Sequence, residues 1–208
     1  MRFLLLLIIL SGLLHITGLY VKSASLKLIF KPLTTSLIIF FAFRQGGQAC
    51  SQYKALLLIG LGFSLLGDIF LMLPRERFIA GLVSFLVAHL FFITAFIGHT
   101  GPYWNIPFLI PVVVYIILFL AVLLRHTGKM SLPVVIYAFV LGLFLWQAAG
   151  LYGFHPVKAS VFGVLGALLF VLSDSLLAFN KFVKTLKWAP GVLMVLYWAA
   201  LYFLALSI

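Results

Sequence analysis

The 208-residue chain has three acidic residues, Asp68, Glu76 and Asp174. Glu76 lies between Arg75 and Arg77 in a tight turn and reads as a loop charge. Asp68 and Asp174 instead lie inside long apolar runs, in Leu66-Gly67-Asp68-Ile69-Phe70-Leu71 and Leu172-Ser173-Asp174-Ser175-Leu176-Leu177. A charged Asp at the centre of a membrane helix costs about 2.5–3.5 kcal/mol even on a lenient insertion scale. Each of these sits about six residues, roughly 9 Å, from the end of its run. The cost is lower at that depth, yet a chain so poor in acids needs a reason to bear it. Two carboxylates at one depth on parallel helices suggest a shared polar site. Such a membrane-embedded acid pair fits an intramembrane hydrolase. A proton relay in a transporter uses the same residue type, and a structural bond to a neighbouring helix is the bland alternative.

Helical spacing supports a lined site. Gly60, Ser64 and Asp68 fall at i, i+4 and i+8, one small and polar stripe. Gly163, Gly166, Phe170 and Asp174 repeat the idea, with Ser173 beside them. Such stripes also serve close helix packing. His89 falls mid-run, in line with Gly81 and Phe85, and suits a hydrogen-bonding residue, a proton relay or a ligand. Lys31 opens another run near the depth of the aspartates, either facing the site or snorkelling to the interface. His15, His99, His126 and His155 are scattered without HxxxH or HxxH spacing, which disfavours a histidine zinc site. Cys50 is the single cysteine, so no internal disulfide or thiolate cluster can form. No metal or other cofactor is expected.

The elements that must position these residues are membrane helices. The chain is 65% hydrophobic and 8% charged, with mean hydropathy +1.30. A soluble domain is about a quarter charged, and so much apolar surface cannot be buried within 23.1 kDa. The bilayer must solvate the outer face. The basic residues behind the net charge of +11 sit singly or in small groups between apolar runs rather than as a stripe on a folded surface, which favours a membrane reading over a nucleic-acid one. A span needs about 20 apolar residues. Eight runs approach that length, at 3–20, 30–43, 54–73, 78–98, 105–124, 131–150, 158–179 and 188–207. The expected fold is therefore an all-α polytopic bundle, one domain over 1–208. The first run resembles a signal peptide, Arg2 preceding FLLLLIILSGLL, but an uncleaved first helix is simpler with so many spans behind it. The paired aspartate segments are each followed by a basic turn, and Pro32 and Pro133 open the preceding spans, an echo expected of a parallel four-plus-four repeat.

These residues together resemble the YhhN-type lysoplasmalogenase family. The resemblance is carried by Lys31-Pro32-Leu33, Ser64-Leu-Leu-Gly67-Asp68, Gly81 to Phe85 and Ala88-His89, and Ser173-Asp174 followed by Asn180-Lys181, in order over nearly the whole chain. The last span departs from the family pattern, offering Tyr197 and Tyr202 but no amide side chain near residue 201. The resemblance implies hydrolysis of the vinyl ether bond of a lysoplasmalogen, a lysophospholipid, to a fatty aldehyde and a glycerophospho-ethanolamine or -choline. It implies Asp68 and Asp174 as catalytic groups, with Lys31, Ser64, His89, Ser173 and Asn180 lining the substrate. Lys31 or the Lys181 group would hold the phosphate. The residues alone leave a proton-coupled transporter of a small lipophilic solute open.

The expected setting is the plasma membrane, as in a bacterial inner membrane. The first, third, fifth and seventh connections hold ten basic residues and the other side four, Arg2, Arg44, Lys54 and Lys158. The positive-inside rule therefore places both termini outside. Reporter fusions after Ile208 and within 181–187 are expected to report outside and cytoplasm respectively; a cytoplasmic C-terminus would reverse the orientation.

Overall fold

The computed structural model describes residues 2–46, 51–73, 77–154 and 156–208. Cys50, Arg75, Glu76 and His155 lie outside the described residues. The rest form α1 (Arg2–Tyr20), α2 (Ala24–Arg44), α3 (Ser51–Met72), α4 (Phe78–Thr100), α5 (Ile106–Thr127), α6 (Ser131–Phe154), α7 (Lys158–Ala178) and α8 (Ala189–Leu206), with no strand among them. The all-helical class is the one expected. Seven helical stretches are long and apolar enough to cross a membrane, where the sequence suggested eight spans. The difference lies at Ile106–Phe154, a continuous 49-residue helical stretch in which a 3-10 turn, Gly128–Met130, divides α5 from α6.

Local chemistry sets the breaks. Lys22 takes a positive φ of 59°, and Ser23 N–H donates to the Gly18 carbonyl at 3.0 Å, closing α1 in one tight reversal. The Ser23 hydroxyl then accepts from Leu26 N–H and caps α2. Pro107 and Pro190 occupy the first turns of α5 and α8, where a missing N–H costs nothing. Beyond α7 the chain widens into a π turn, Phe179–Val183, before α8 begins.

The closest neighbours are α3 with α4 and α7 with α8; α8 also packs on α2 and α1, and α6 on α4, α5 and α7. Phe92, Phe96, Phe144 and Phe170 are fully enclosed where α4, α6 and α7 meet. The outward faces carry Phe3, Leu6, Ile117, Leu118, Phe139 and similar residues, bare apolar surface of the kind lipid solvates. The matching neighbours of α3 and α7 do not by themselves establish a four-plus-four repeat.

The small-residue stripes act as packing surfaces. A Cβ at Gly60 would fall 2.3 Å from the Phe92 ring, and one at Gly67 2.7 Å from the Phe85 ring. At Gly166 it would meet backbone, 3.0 Å from Leu204 N and 3.1 Å from the Ala200 carbonyl oxygen. Backbone cannot rotate away as a side chain can. Gly166→Ala is therefore expected to lower the melting temperature of the detergent-purified protein, at a cost on the order of 1–3 kcal/mol. Gly62→Ala, whose Cβ meets nothing within 4 Å, should leave it unchanged or slightly raised. Equal melting temperatures for the two variants would contradict this account of the α7–α8 contact.

Candidate active site

Asp68 lies one turn from the end of α3, 1% exposed. Its Oδ2 accepts hydrogen bonds from the Thr35 hydroxyl at 2.7 Å and the Tyr197 hydroxyl at 3.0 Å. Its Oδ1 faces the Lys31 ammonium at 3.2 Å. Lys31 and Thr35 are four apart on α2, so they share one helix face and reach the same carboxylate. Trp198 Nε1–H donates to Thr35 Oγ1 at 3.2 Å, which directs the threonine proton toward Asp68. Three helices, α2, α3 and α8, thus converge on one carboxylate whose partners are an ammonium and two hydroxyls.

Asp174 lies at the corresponding place on α7. Its Oδ2 accepts from the Tyr137 hydroxyl of α6 in a short hydrogen bond. His89 of α4, fully buried, brings Nε2 to 4.0 Å from the same oxygen. Among the described residues no lysine or arginine ion-pairs with Asp174. The imidazole stands among aromatic rings, with ring centroids 4.5 Å from Phe170, 5.0 Å from Phe144 and 5.6 Å from Tyr137.

The sequence suggested one polar site holding both carboxylates. In the structure they occupy two networks at the same end of the bundle. The route between them runs from Tyr197 to Phe170, ring centroids 5.6 Å apart, and from Phe170 to His89. Phe85 closes the same gap from α4, 5.8 Å from Tyr197.

Two cavities adjoin these networks. One, of about 480 Å³, is lined by His15, Lys27, Lys31, Asn180, Lys181 and Pro190 among others. It is cationic at its rim and within the size range of small-molecule sites. The second, of about 50 Å³, is apolar and has Tyr137, Asp174 and Ser175 in its wall. Leu71, Phe78 and Leu177 line both cavities, which therefore share that part of their walls.

The remaining expected site residues have defined places. Ser64 donates its hydroxyl to Gly60 carbonyl at 3.1 Å, and its own carbonyl accepts from Tyr197 at 3.3 Å. The Ser173 hydroxyl bonds the Leu193 carbonyl at 3.2 Å and joins α7 to α8. Asn180 Oδ1 accepts from Leu186 N–H at 2.7 Å, shaping the turn before α8, while the residue also lines the larger cavity. Sequence reasoning passed over Thr35, Tyr137 and Trp198. Thr35 was accessible through its i+4 relation to Lys31. Tyr137 carries no local signal that separates it from the other seven tyrosines. Among the described residues no three His, Cys, Asp or Glu side chains group as metal ligands would.

Fold and site together define a polytopic helical membrane protein with buried carboxylate networks beside a cationic cavity. The YhhN family model matches residues 26–208, and the chain belongs to the YhhN family. It is 32% identical over 177 residues to lysoplasmalogenase TMEM86B of Rattus norvegicus, covering 85% of this chain and 70% of that relative. The Mus musculus protein of the same name is 33% identical over 178 residues, 85% of this chain and 72% of its own length. Membrane protein YhhN of Escherichia coli O157:H7 is 28% identical over 148 residues, 70% of this chain and 69% of its own. No solved structure matches the chain.

The Lys31–Asp68 pair makes a stability prediction. Removing one partner of a buried ion pair leaves an uncompensated charge and typically costs about 3–5 kcal/mol. Lys31→Met is expected to lower the melting temperature markedly, and adding Asp68→Asn should recover part of the loss. A loss in the double variant equal to the sum of the losses of Lys31→Met and Asp68→Asn would show that the two side chains are not coupled.

Proposed function

We propose that this chain is a membrane-embedded hydrolase that cleaves the vinyl ether bond of lysoplasmalogens. One observation carries the reading: a lysine-lined cavity of about 480 Å³ shares Leu71, Phe78 and Leu177 with an apolar cavity that has Asp174 in its wall. Relatives named as lysoplasmalogenases, about a third identical over most of the chain, support it. They give no support to the transporter alternative.

Lys27, Lys31 and Lys181 offer point charges to a phosphodiester at the cavity rim, with Asn180 beside them. The hydrocarbon chain then passes Leu71, Phe78 and Leu177 into the apolar cavity, which brings the vinyl ether toward Asp174. Asp174 donates a proton to the β-carbon of the enol ether, and the C=C electrons form the new C–H bond. The α-carbon becomes an oxocarbenium ion. Water adds to that carbon and gives up a proton to a carboxylate, leaving a hemiacetal. Collapse of the hemiacetal breaks the bond to the glycerol oxygen, which leaves as a hydroxyl, and releases the aldehyde. Asp68, hydrogen-bonded to Tyr197, is the second carboxylate of this scheme, receiving charge or a proton as the cation is captured. His89 stands beside Asp174 from α4, its Nε2 4.0 Å from Oδ2. Ser64 and Ser173 hold the helices that carry the two acids.

The 3.2 Å contact with Lys31 supports a second reading of Asp68, as a positioning residue that acts by holding the phosphate-binding lysine. The two readings differ kinetically. With purified protein, lysoplasmalogen and aldehyde release as the readout, Asp174→Asn is expected to lower kcat by ~10²–10⁴-fold. If Asp68 takes part in the chemistry, Asp68→Asn lowers kcat steeply and the double variant is little worse than the worse single one. If it acts only through Lys31, KM rises instead and Lys31→Met reproduces the effect. A folded Asp174→Asn variant with near wild-type kcat would remove that residue from the reaction.

A further inference from the structure

The buried residues of α5 are Leu123 and Thr127, both in its last turns, and the rest of the helix lies against its neighbours without being enclosed by them. Its firm attachments lead to α6. Just before α5, the Gln147 side chain accepts from Tyr103 N–H at 2.9 Å and donates to the Tyr103 carbonyl at 3.2 Å, while Trp146 Nε1–H donates to the Asn105 carbonyl at 3.2 Å. Midway along, Ile116 fills the notch that Gly142 leaves in α6. At the far end the Thr127 and Ser131 hydroxyls lie 2.8 Å apart. Toward α7 the helix reaches with Tyr115, whose hydroxyl is 2.7 Å from Ser175 Oγ. Ser175 gives its own hydrogen to the Val171 carbonyl at 2.7 Å, so Tyr115 is the donor across this seam. The seam closes the apolar cavity: Tyr115 and Phe119 line it from α5, and Val171, Asp174 and Ser175 from α7. On the same two helices Ile117, Leu118, Leu168 and Leu172 are exposed apolar residues that face lipid. At about 50 Å³ the cavity has room for roughly four water-sized groups. A fatty alkenyl chain is several times longer and does not fit inside it.

We propose that the seam between α5 and α7 is the hydrocarbon-chain subsite: the chain leaves the apolar cavity between Tyr115 and Ser175, and its far end stays in the bilayer. The inference rests on the proposed hydrolase reading and extends it to the part of the substrate that the cavity cannot enclose. The vinyl ether joins the chain to the glycerol, so when it stands at Asp174 nearly the whole chain lies beyond, away from the lysine-lined cavity. The α6 attachments hold α5 to the bundle while its α7 side opens. The faces that part are apolar, and a hydrocarbon chain or a lipid tail replaces the contacts they lose, since lipid is as apolar as the side chains themselves. The hydrogen bond from Tyr115 to Ser175 is the polar link that opening must break.

Two experiments on the full chain in phosphatidylcholine vesicles test this. In the first, wild type is photolabelled with a saturated lysophosphocholine ether, which cannot be cleaved, carrying a diazirine midway along its alkyl chain. Label that excess unmodified ether competes away is expected on the α5 and α7 peptides around Tyr115 and Ser175. Competable label absent from those peptides, as when it is confined to the α1–α8 groove at Leu13 and Trp198, overturns the assignment. In the second, Tyr115→Cys and Ser175→Cys are combined with Cys50→Ser, which removes the single native cysteine, and a short bifunctional maleimide bridges the seam. Aldehyde release is compared before and after bridging for a lysoplasmalogen with a long alkenyl chain and one with a chain short enough for the cavity. Bridging is expected to lower the long-chain kcat/KM by ~10-fold or more and to leave the short-chain value within a few-fold. Long-chain turnover unchanged by bridging, or an equal loss for both chain lengths, overturns the assignment. The unbridged variant is its own reference, and the wild-type labelling decides if that variant does not fold. Failure of the hydrolase reading shows differently, as no aldehyde release from wild type with either chain length, and the photolabel, which needs no cleavage, then still decides where the chain lies.

Discussion

A carboxylate inside a bilayer must find its solvent within the protein, and at Asp68 that requirement draws three helices together. Lys31 and Thr35 reach it from α2 and Tyr197 from α8, while Trp198 fixes the threonine from behind. Lipid offers no hydrophobic force to press helices against one another, so small residues and interhelical hydrogen bonds must supply the attachment. The Asp68 network supplies it for α2, α3 and α8. The glycines at 60 and 67 bring α3 close to α4. Removing the carboxylate would therefore loosen the wall of the larger cavity as well as delete an acid.

Asp174 occupies a parallel position with a different set of partners. Its neighbours come from α6 and α4, as those of Asp68 come from α2 and α8, but where Asp68 has an ammonium Asp174 has a phenol and an imidazole. One carboxylate is held by an ammonium and two hydroxyls. The other stands in the wall of an apolar cavity with a neutral hydroxyl donor. Two acids in matched places thus have unlike surroundings, the usual way a protein gives like groups different tasks.

Much of this was legible beforehand. Composition alone required a helical membrane bundle, and the rarity of acids singled out Asp68 and Asp174 before any geometry. The stripe through Gly60 and Ser64 marked the face of α3 that packs, although the serine hydroxyl turns back to its own helix. Less legible was how neighbouring helices are arranged around the acids. Matched depth on parallel helices says nothing about whether α3 and α7 adjoin, and each carboxylate takes its partners from different neighbouring helices. Tyr137 gains its importance from a partner distant in sequence and has no local pattern. The span count differed because the 3-10 turn Gly128–Met130 joins α5 to α6 without interrupting the helical run, so Ile106–Phe154 forms one stretch where the sequence suggested two spans.

The thin wall of Leu71, Phe78 and Leu177 also bears on what happens after bond cleavage. Under the proposed function one amphiphile enters and two unlike molecules result, one soluble in oil and one in water. A partition between a charged chamber and an apolar one would let each product depart into its own medium, the aldehyde into the bilayer and the glycerophosphodiester into the aqueous phase. Once parted, the two would meet again only rarely, so the direction of the reaction would owe as much to phase separation as to the chemistry of the bond.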